Sequence, residues 1–183
     1  SSRRRIRIRR TSNRVNKELD LNFYIMNSHH TVAIGTWEGD KQQSIEYNSS
    51  IAVGIDCPRA KLRVSILLDT IQEYQVRYIF SDEEISEAVN EAGLIIGARG
   101  IAYEGVLQRK PVIVVGEYGF GGLVTPDTLH EQYNNYFRGK INGIKAEYFS
   151  LERLEEEIRR GFALTFQELQ MMSNQTIRFL HNI

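Results

Sequence analysis

The chain has 183 residues, 42% of them apolar and 25% charged, with a net charge of zero at neutral pH. This composition is typical of a globular domain with a real core and excludes an intrinsically disordered chain. No apolar run approaches the roughly 20 residues of a membrane-spanning helix, and the single cysteine, Cys57, excludes an internal disulfide and a cysteine zinc cluster. We therefore expect a cytoplasmic protein.

The zero net charge hides an asymmetry between the start of the chain and the rest. Residues 1–17 carry a charge of +8 and no acidic side chain, so the remainder carries −8. The alternation of Arg and Ile in RRIRIRR favours an edge strand or a solvated arm, and such a segment can also touch anionic lipid at the inner membrane face. The acidic body and the lack of an aromatic or glycine pattern argue against nucleic-acid binding. We assign residues 1–30 to this basic arm and residues 31–183 to a single domain.

Five short runs rich in Ile and Val, each ending in a loop signal, predict strands. They are TVAIGTWEGD (31–40), SIAVGID (50–56), VRYIFSDE (76–83), GLIIGARG (93–100) and PVIVVGEYG (111–119). Nearly continuous apolar runs of this length are typical of strands buried on both faces, as in parallel sheets.

Helical patterns lie between these runs. Residues 61–75 have apolar side chains on one side, and residues 101–109 form a short helix. Residues 82–91 open with Ser81 and Glu84 in the positions of a capping box.

The chain from Ser150 onward predicts one or two amphipathic helices with a break near Gly161. Together with the alternation of strands and helices, this predicts an α/β fold, a doubly wound, Rossmann-like parallel sheet with C-terminal helices.

Ligands of an open parallel sheet bind beyond the carboxyl ends of its strands, where we expect the loops 54–61, 97–100 and 116–125. The sequence GARG (97–100) follows a strand and opens a helix, so free amides at the helix start could hold a phosphate, with Arg99 as a charged donor. Steric packing explains glycine at such a turn equally well. The spacing matches neither the dinucleotide fingerprint nor a P-loop.

Glu104 lies four residues beyond Gly100. Its carboxylate could accept hydrogen bonds from a ribose diol, or it could simply interact with the helix dipole. The nearby loop GEYGFGGLVTPD (116–127) favours the binding interpretation, because four glycines in so short a span cost backbone entropy. Tyr118 and Phe120 in this loop could flank a base or a sugar ring.

The segment AGLIIGARGIAYEGVLQRKPVIVVGEYGFGGLVTPD (92–127) resembles the donor-binding segment of GT-B glycosyltransferases, in particular the broad retaining family that includes capsule and lipopolysaccharide enzymes. The matching positions run from Glu104 through Lys110 and Pro111 to Gly116. The resemblance implies the C-terminal, nucleotide-sugar-binding half of such an enzyme. A glycan or lipid-linked acceptor would bind to an N-terminal domain, for which the 183 residues leave no room, so we expect the chain to be one half of a larger enzyme.

The resemblance implies that Glu104 binds the donor ribose and that the amides of residues 98–101 meet the donor. No metal or cofactor is expected, since cationic groups would stabilise the nucleoside-diphosphate leaving group. The residues and the resemblance together predict these donor-binding residues: Arg59, Lys61, Gly97, Ala98, Arg99, Gly100, Ile101, Glu104, Gly116, Tyr118 and Gly119.

Two features depart from the family. Ile96 stands where many members have a second glutamate, and Arg59 and Lys61 are not in the usual register of the Arg and Lys that hold the diphosphate. Two other functions therefore stay open. A relative of sugar-nucleotide epimerases would need converging carboxylates, of which the sequence offers only Glu104. A non-catalytic α/β binding or assembly module would use the glycine loop as a partner surface.

Overall fold

The computed structural model describes residues 4–7, 30–38, 41–45, 48–140 and 143–182, and its strands form two sheets. The smaller sheet has the order β1-β2-β3, with β1 parallel and β3 antiparallel to β2. Its strands are β1 (Arg4–Arg7), β2 (His30–Glu38) and β3 (Lys41–Ile45). Part of the basic arm is thus an edge strand, as one of the two sequence interpretations predicted, while residues 8–29 lie outside the described residues.

The larger sheet has the order β5-β4-β6-β7-β8. Its first four strands are parallel, and β8 runs antiparallel to β7. The strands are β4 (Ile51–Gly54), β5 (Val76–Tyr78), β6 (Leu94–Gly97), β7 (Val112–Gly116) and β8 (Gly119–Leu123).

Two predictions about the strands are wrong. The run 31–40 was expected in the parallel sheet, but it forms β2 of the smaller sheet. Only two residues separate it from β3, too few for the crossover that a parallel pair requires, so β2 and β3 pair antiparallel. The second error concerns Gly119–Leu123, for which the sequence predicts a loop and which is a strand. It contains three glycines and no Val or Ile, so it lacks the composition by which buried strands are recognised.

Six α-helices connect and follow these strands in the described part of the chain. They are α1 (Pro58–Ile71), α2 (Ile85–Glu91), α3 (Gly100–Leu107), α4 (Leu129–Asn134), α5 (Leu151–Phe162) and α6 (Phe166–His181). None of them is both long enough and apolar enough to cross a membrane.

Helices cover both faces of the larger sheet, which makes it a doubly wound, Rossmann-like sheet as predicted. Alternate strand residues point to opposite faces: Ile51 and Val53 of β4 pack with α1 and α5, whereas Ala52 between them packs with α2 and α3. The helices α4 and α6 complete the second face. Burial on both faces explains why the central strands β4, β6 and β7 consist only of aliphatic residues and glycine.

The predicted break in the C-terminal helical region is confirmed. The helix α5 ends at Phe162, and α6 begins after the N-cap Thr165. The Thr165 hydroxyl accepts a hydrogen bond from the Glu168 amide (3.1 Å), and the Glu168 carboxylate accepts one from the Thr165 amide (2.8 Å). This reciprocal capping box satisfies two amides at the helix start and fixes where α6 begins.

The capping box predicted at Ser81 is wrong. Ser81 precedes a 3₁₀ turn, Asp82–Glu84, and its side chain makes no capping hydrogen bond. The tighter 3₁₀ geometry does not present the third amide as an α-helix would. The three carboxylates of this turn supply the negative charge that a helix start favours.

The edge strand β8 is covered by side chains from two helices. The Leu123 amide donates a hydrogen bond to Glu157 of α5 (3.0 Å), and the Gly121 carbonyl accepts one from Gln132 of α4 (2.7 Å). The Glu157 residue is 1% exposed. These contacts satisfy backbone groups that an open sheet edge would leave without partners.

Candidate functional site

The strand order creates a switch point between the adjacent strands β4 and β6. The chain leaves β4 through α1 on one face and returns at β5, whereas it leaves β6 through α3 on the other face and continues to β7. The loops after β4 and β6 therefore diverge and leave a crevice at the carboxyl edge of the sheet. In open α/β sheets this crevice is where ligands bind.

Two facing glycines bring α3 close to this crevice. Gly54 and Gly97 are register partners at the ends of β4 and β6. The side chain of Ile101, in the first turn of α3, packs directly over both. A Cβ atom on Gly97 would lie 2.5 Å from Ile101 Cγ2 and 2.4 Å from the Gly54 carbonyl oxygen. These glycines are thus required by packing, and their role is to bring the start of α3 to the switch point.

The larger of two clefts at this edge has a volume of about 710 Å³. It lies between the start of α3, the loop after β4 and the segment that joins β5 to α2. Charged and polar side chains contribute much of its lining, among them those of Asp56, Ser81, Asp82, Ser86, Arg99 and Glu104. Phe80 also lines this cleft; it is 76% exposed, and Lys61 Nζ lies 4.2 Å from the centre of its ring.

The smaller cleft has a volume of about 310 Å³ and adjoins the larger one. Asp56, Ala98 and Arg99 line both clefts. The rest of its lining comes from Cys57, Gly116, Glu117 and Arg138. Arg99 thus separates the two clefts and can act on a ligand in either.

Arg99 has a backbone conformation that side chains rarely adopt. It is the N-cap of α3, with φ 56° and ψ −125°. Its amide donates a hydrogen bond to the Phe137 carbonyl (2.9 Å), and its carbonyl accepts one from the Tyr103 amide (3.0 Å). Strain of this kind costs about 1–3 kcal/mol and concentrates at functional sites. The two hydrogen bonds hold the strained residue in place and direct its side chain into the crevice.

This strain predicts a difference between two variants. Arg99→Gly and Arg99→Ala both remove the guanidinium, but only glycine adopts this φ without strain. After allowance for the entropy that glycine loses on folding, Arg99→Gly should be more stable than Arg99→Ala by about 1 kcal/mol. Urea denaturation followed by circular dichroism measures both free energies of unfolding. Equal stability of the two variants would show that Arg99 is not strained.

Two arginines converge on one carboxylate in the smaller cleft. Arg99 Nη2 lies 2.7 Å and Arg138 Nε 3.2 Å from the same oxygen, Glu117 Oε1. The hydrogen bond and charge of Arg99 lower the pKa of Glu117, and those of Glu117 raise the pKa of Arg99. Both arginines and the carboxylate are partly exposed, so a ligand can reach them.

Of the predicted donor-binding residues, five line the larger cleft and three line the smaller. The five are Ala98, Arg99, Gly100, Ile101 and Glu104, and the three are Ala98, Arg99 and Gly116. Gly97 lies beneath Ile101, and Lys61 reaches the larger cleft only through the Phe80 ring. Arg59 lines neither cleft; its side chain is 79% exposed and its Nη1 lies 3.4 Å from Glu147.

The glycines of the segment 116–127 have structural roles. Glu117 and Tyr118 form a two-residue turn between β7 and β8, with Gly116 and Gly119 as register partners. Gly119 has φ +116°, and a Cβ there would lie 2.4 Å from the Ile144 carbonyl oxygen. Entropy cost alone therefore does not indicate a ligand loop here. Tyr118 lies on this turn, where its hydroxyl accepts a hydrogen bond from Arg138 Nη1 (3.0 Å).

Several residues of the site escaped the sequence analysis. Asp56 had a usable signal, because it lies two residues after the end of the strand β4. Phe80 and Asp82 had a similar signal, because they lie in the segment that follows the strand β5. Arg138 had none, since it is far from Arg99 in the sequence and reaches it only through the folded loop after α4.

Among the described residues, no group of three or more His, Cys, Asp or Glu side chains could hold a metal ion.

The fold and the clefts define a Rossmann-like α/β protein with a polar crevice at its switch point. Comparison of the chain with models of known protein families and with curated protein sequences finds no match. The resemblance to GT-B glycosyltransferases therefore stays a prediction.

Proposed function

We propose that the chain is the nucleotide-sugar-binding domain of a GT-B glycosyltransferase, which holds the donor for transfer to a glycan or a lipid-linked acceptor. The observation that carries the proposal is that Arg99 and Glu104 line one cleft at the switch point of a Rossmann-like sheet. That cleft has the size of ordinary small-molecule sites, which are about 300–1,000 Å³.

The carboxylate of Glu104 is suited to a ribose diol. Glu104 is half-buried in the wall of the larger cleft, and its Oε1 accepts a hydrogen bond from Gln108 Nε2 (2.7 Å). Gln108 Nε2 also lies 3.1 Å from the carbonyl of Ser86 on α2. Gln108 therefore fixes the orientation of the carboxylate before a ligand binds. The exposed ring of Phe80 in the same cleft supplies an apolar face for a nucleotide base.

The diphosphate would meet Arg99 and the start of α3. The amides of the first turn of α3, residues 100–102, have no backbone acceptor within the described part of the chain. Free amides at a helix start and an adjacent guanidinium both favour an anion. In the transfer reaction these groups would stabilise the charge that develops on the nucleoside-diphosphate leaving group.

The proposal assigns acceptor binding to a separate domain, so the 183-residue chain should bind the donor without transferring the sugar. It includes a cytoplasmic location, with peripheral contact between the basic segment 1–17 and anionic lipid.

A thermal-shift panel of nucleoside diphosphates and their sugars tests the proposal. A ligand at about 100 times its dissociation constant adds roughly 2.7 kcal/mol to the free energy of unfolding and raises the melting temperature. We expect this rise with one base and not with free sugars. If no nucleotide raises the melting temperature, the proposal fails and the non-catalytic module becomes the better hypothesis.

The variant Glu104→Gln tests the ribose contact. It removes the charge but keeps the size of the side chain, and a hydrogen bond to a charged group contributes about 1.5–3 kcal/mol. Nucleoside diphosphates should therefore bind roughly tenfold more weakly by calorimetry. The matched control is Glu87→Gln, an equally conservative change at an exposed position of α2. Equal affinities of the two variants would contradict the assignment of Glu104.

A further inference from the structure

The smaller cleft holds two charged side chains that the proposed function does not use, those of Glu117 and Arg138. Two guanidinium groups, those of Arg99 and Arg138, approach one oxygen of Glu117 from two sides. The Nε atom of Arg138 is buried and has no hydrogen-bond partner among the residues that the structure describes, because its 3.2 Å contact with Glu117 lacks hydrogen-bond geometry. A single carboxylate oxygen thus satisfies the two arginines incompletely.

The position of Arg138 is fixed from several directions. Its guanidinium lies over the rings of Tyr118 and Tyr136, with centroid distances of 5.6 and 5.2 Å. Its carbonyl accepts a hydrogen bond from the Tyr118 amide (2.9 Å). The preceding residues Tyr136 and Phe137 both have positive φ, 57° and 49°. Since the Phe137 carbonyl also binds the Arg99 amide, one strained loop holds both arginines side by side.

We infer that the smaller cleft is a binding site for a phosphoryl group, which binds between Arg99 and Arg138 and displaces the carboxylate of Glu117. A phosphoryl group offers several oxygens in place of one, so each arginine can form the paired hydrogen bonds that guanidinium groups make with phosphate. Displacement of Glu117 is easy, because partly exposed ion pairs contribute little to stability. Glu117 lies on a two-residue turn at the cleft's edge, where its side chain can swing into solvent.

This inference deepens the proposed function and rests on it for the identity of the whole ligand. The two clefts share Asp56, Ala98 and Arg99. A nucleoside diphosphate whose ribose meets Glu104 can therefore extend past Arg99 and place its terminal phosphate in the smaller cleft. Arg138 then becomes a specificity-determining residue that separates diphosphates from monophosphates.

The variant Glu117→Gln provides the decisive test, with sodium pyrophosphate as the probe and calorimetry at low ionic strength as the measurement. If Glu117 competes with the ligand, its neutralisation should tighten pyrophosphate binding about three- to tenfold. If Glu117 only positions the arginines, the same change should weaken binding or leave it unchanged. The control Glu91→Gln alters net charge identically at the remote, exposed Arg77–Glu91 pair. Equal effects of the two variants would overturn the inference.

Arg138→Met tests the second arginine while it keeps the packing against both tyrosines. It should weaken pyrophosphate binding about tenfold or more. Arg138→Lys, which keeps the charge but not the paired hydrogen bonds, should recover only part of this loss. Unchanged pyrophosphate affinity in Arg138→Met, with an unchanged melting temperature as evidence of folding, would overturn the inference.

The two proposals fail separately. The chain could bind pyrophosphate with the expected variant effects and bind no nucleoside diphosphate. That result would support the phosphoryl site and contradict the proposed function. Nucleotide binding that depends on Glu104 but not on Glu117 or Arg138 would support the proposed function and contradict the phosphoryl site.

Discussion

Replacement of Gly97 by alanine is expected to destabilise the domain by about 3 kcal/mol, the upper end of the usual range for overpacking. The new methyl group would lie 2.4 Å from the Gly54 carbonyl oxygen, which belongs to the neighbouring central strand and cannot rotate away. The same carbonyl accepts a hydrogen bond from the Ala98 amide (3.3 Å). Relief of the clash must therefore separate β4 from β6 at the switch point, so the variant should also lose ligand affinity.

The matched control is Gly100→Ala, three residues along the same turn. The nearest atom to a Cβ at Gly100, Ile85 Cδ1, is 3.8 Å away, so the methyl group fits. Because alanine favours a helix, this variant should be as stable as the wild type or more stable by up to about 1 kcal/mol. Urea denaturation of both variants measures the contrast. A Gly97→Ala variant as stable as the wild type would refute the close packing of α3 against the switch point.

The second large effect is expected at Glu157, whose carboxylate connects α5 to the edge strand β8. It accepts a hydrogen bond from the Leu123 amide (3.0 Å), and Arg153 and Arg160 each approach it to 3.2 Å. Glu157→Ala would leave a buried amide without an acceptor and two arginines without their partner. We expect a loss of about 2–4 kcal/mol in the free energy of unfolding.

One further variant at Glu157 and one at the neighbouring Glu156 separate the contributions. Glu157→Gln keeps an acceptor for the Leu123 amide and removes only the charge, so its loss should be clearly smaller than that of Glu157→Ala. Glu156→Ala changes an exposed neighbour and should stay within about 0.5 kcal/mol of the wild type. If Glu157→Ala and Glu156→Ala unfold at the same urea concentration, the buried carboxylate does not secure the edge strand.

The candidate site shows why sequence analysis found one part of it and missed another. Arg99 and Glu104 were predicted because each has a local signal, namely its position after a strand and within the first turns of a helix. Glu117 lay within a recognised loop, but its partner Arg138 was not foreseen. The Glu117–Arg138 contact depends on the loop after α4, where Tyr136 and Phe137 adopt positive φ. No local pattern of residues indicates such a conformation in aromatic side chains.

The glycines of the segment 116–127 also show the difference between what the sequence indicates locally and what distant contacts require. Their number favours a ligand loop when the sequence alone is considered, since the sequence cannot show what surrounds them. The structure explains Gly116 by the Arg138 carbonyl and Gly119 by the Ile144 carbonyl, both contacts with distant parts of the chain. A glycine required by such a contact looks the same in the sequence as one required by a ligand.

The sequence by itself determined the α/β alternation, the buried strands β4, β6 and β7, and a helical C-terminal region with a break near Gly161. These features follow from the periodicity of apolar residues within short segments, and that periodicity is a local property of the chain. Only the tertiary structure decided that residues 30–38 belong to a separate sheet, that β8 closes the larger one, and that Arg138 joins Arg99 at Glu117. Those outcomes depend on contacts between residues far apart in the chain, where packing and backbone geometry override the preference of any single segment.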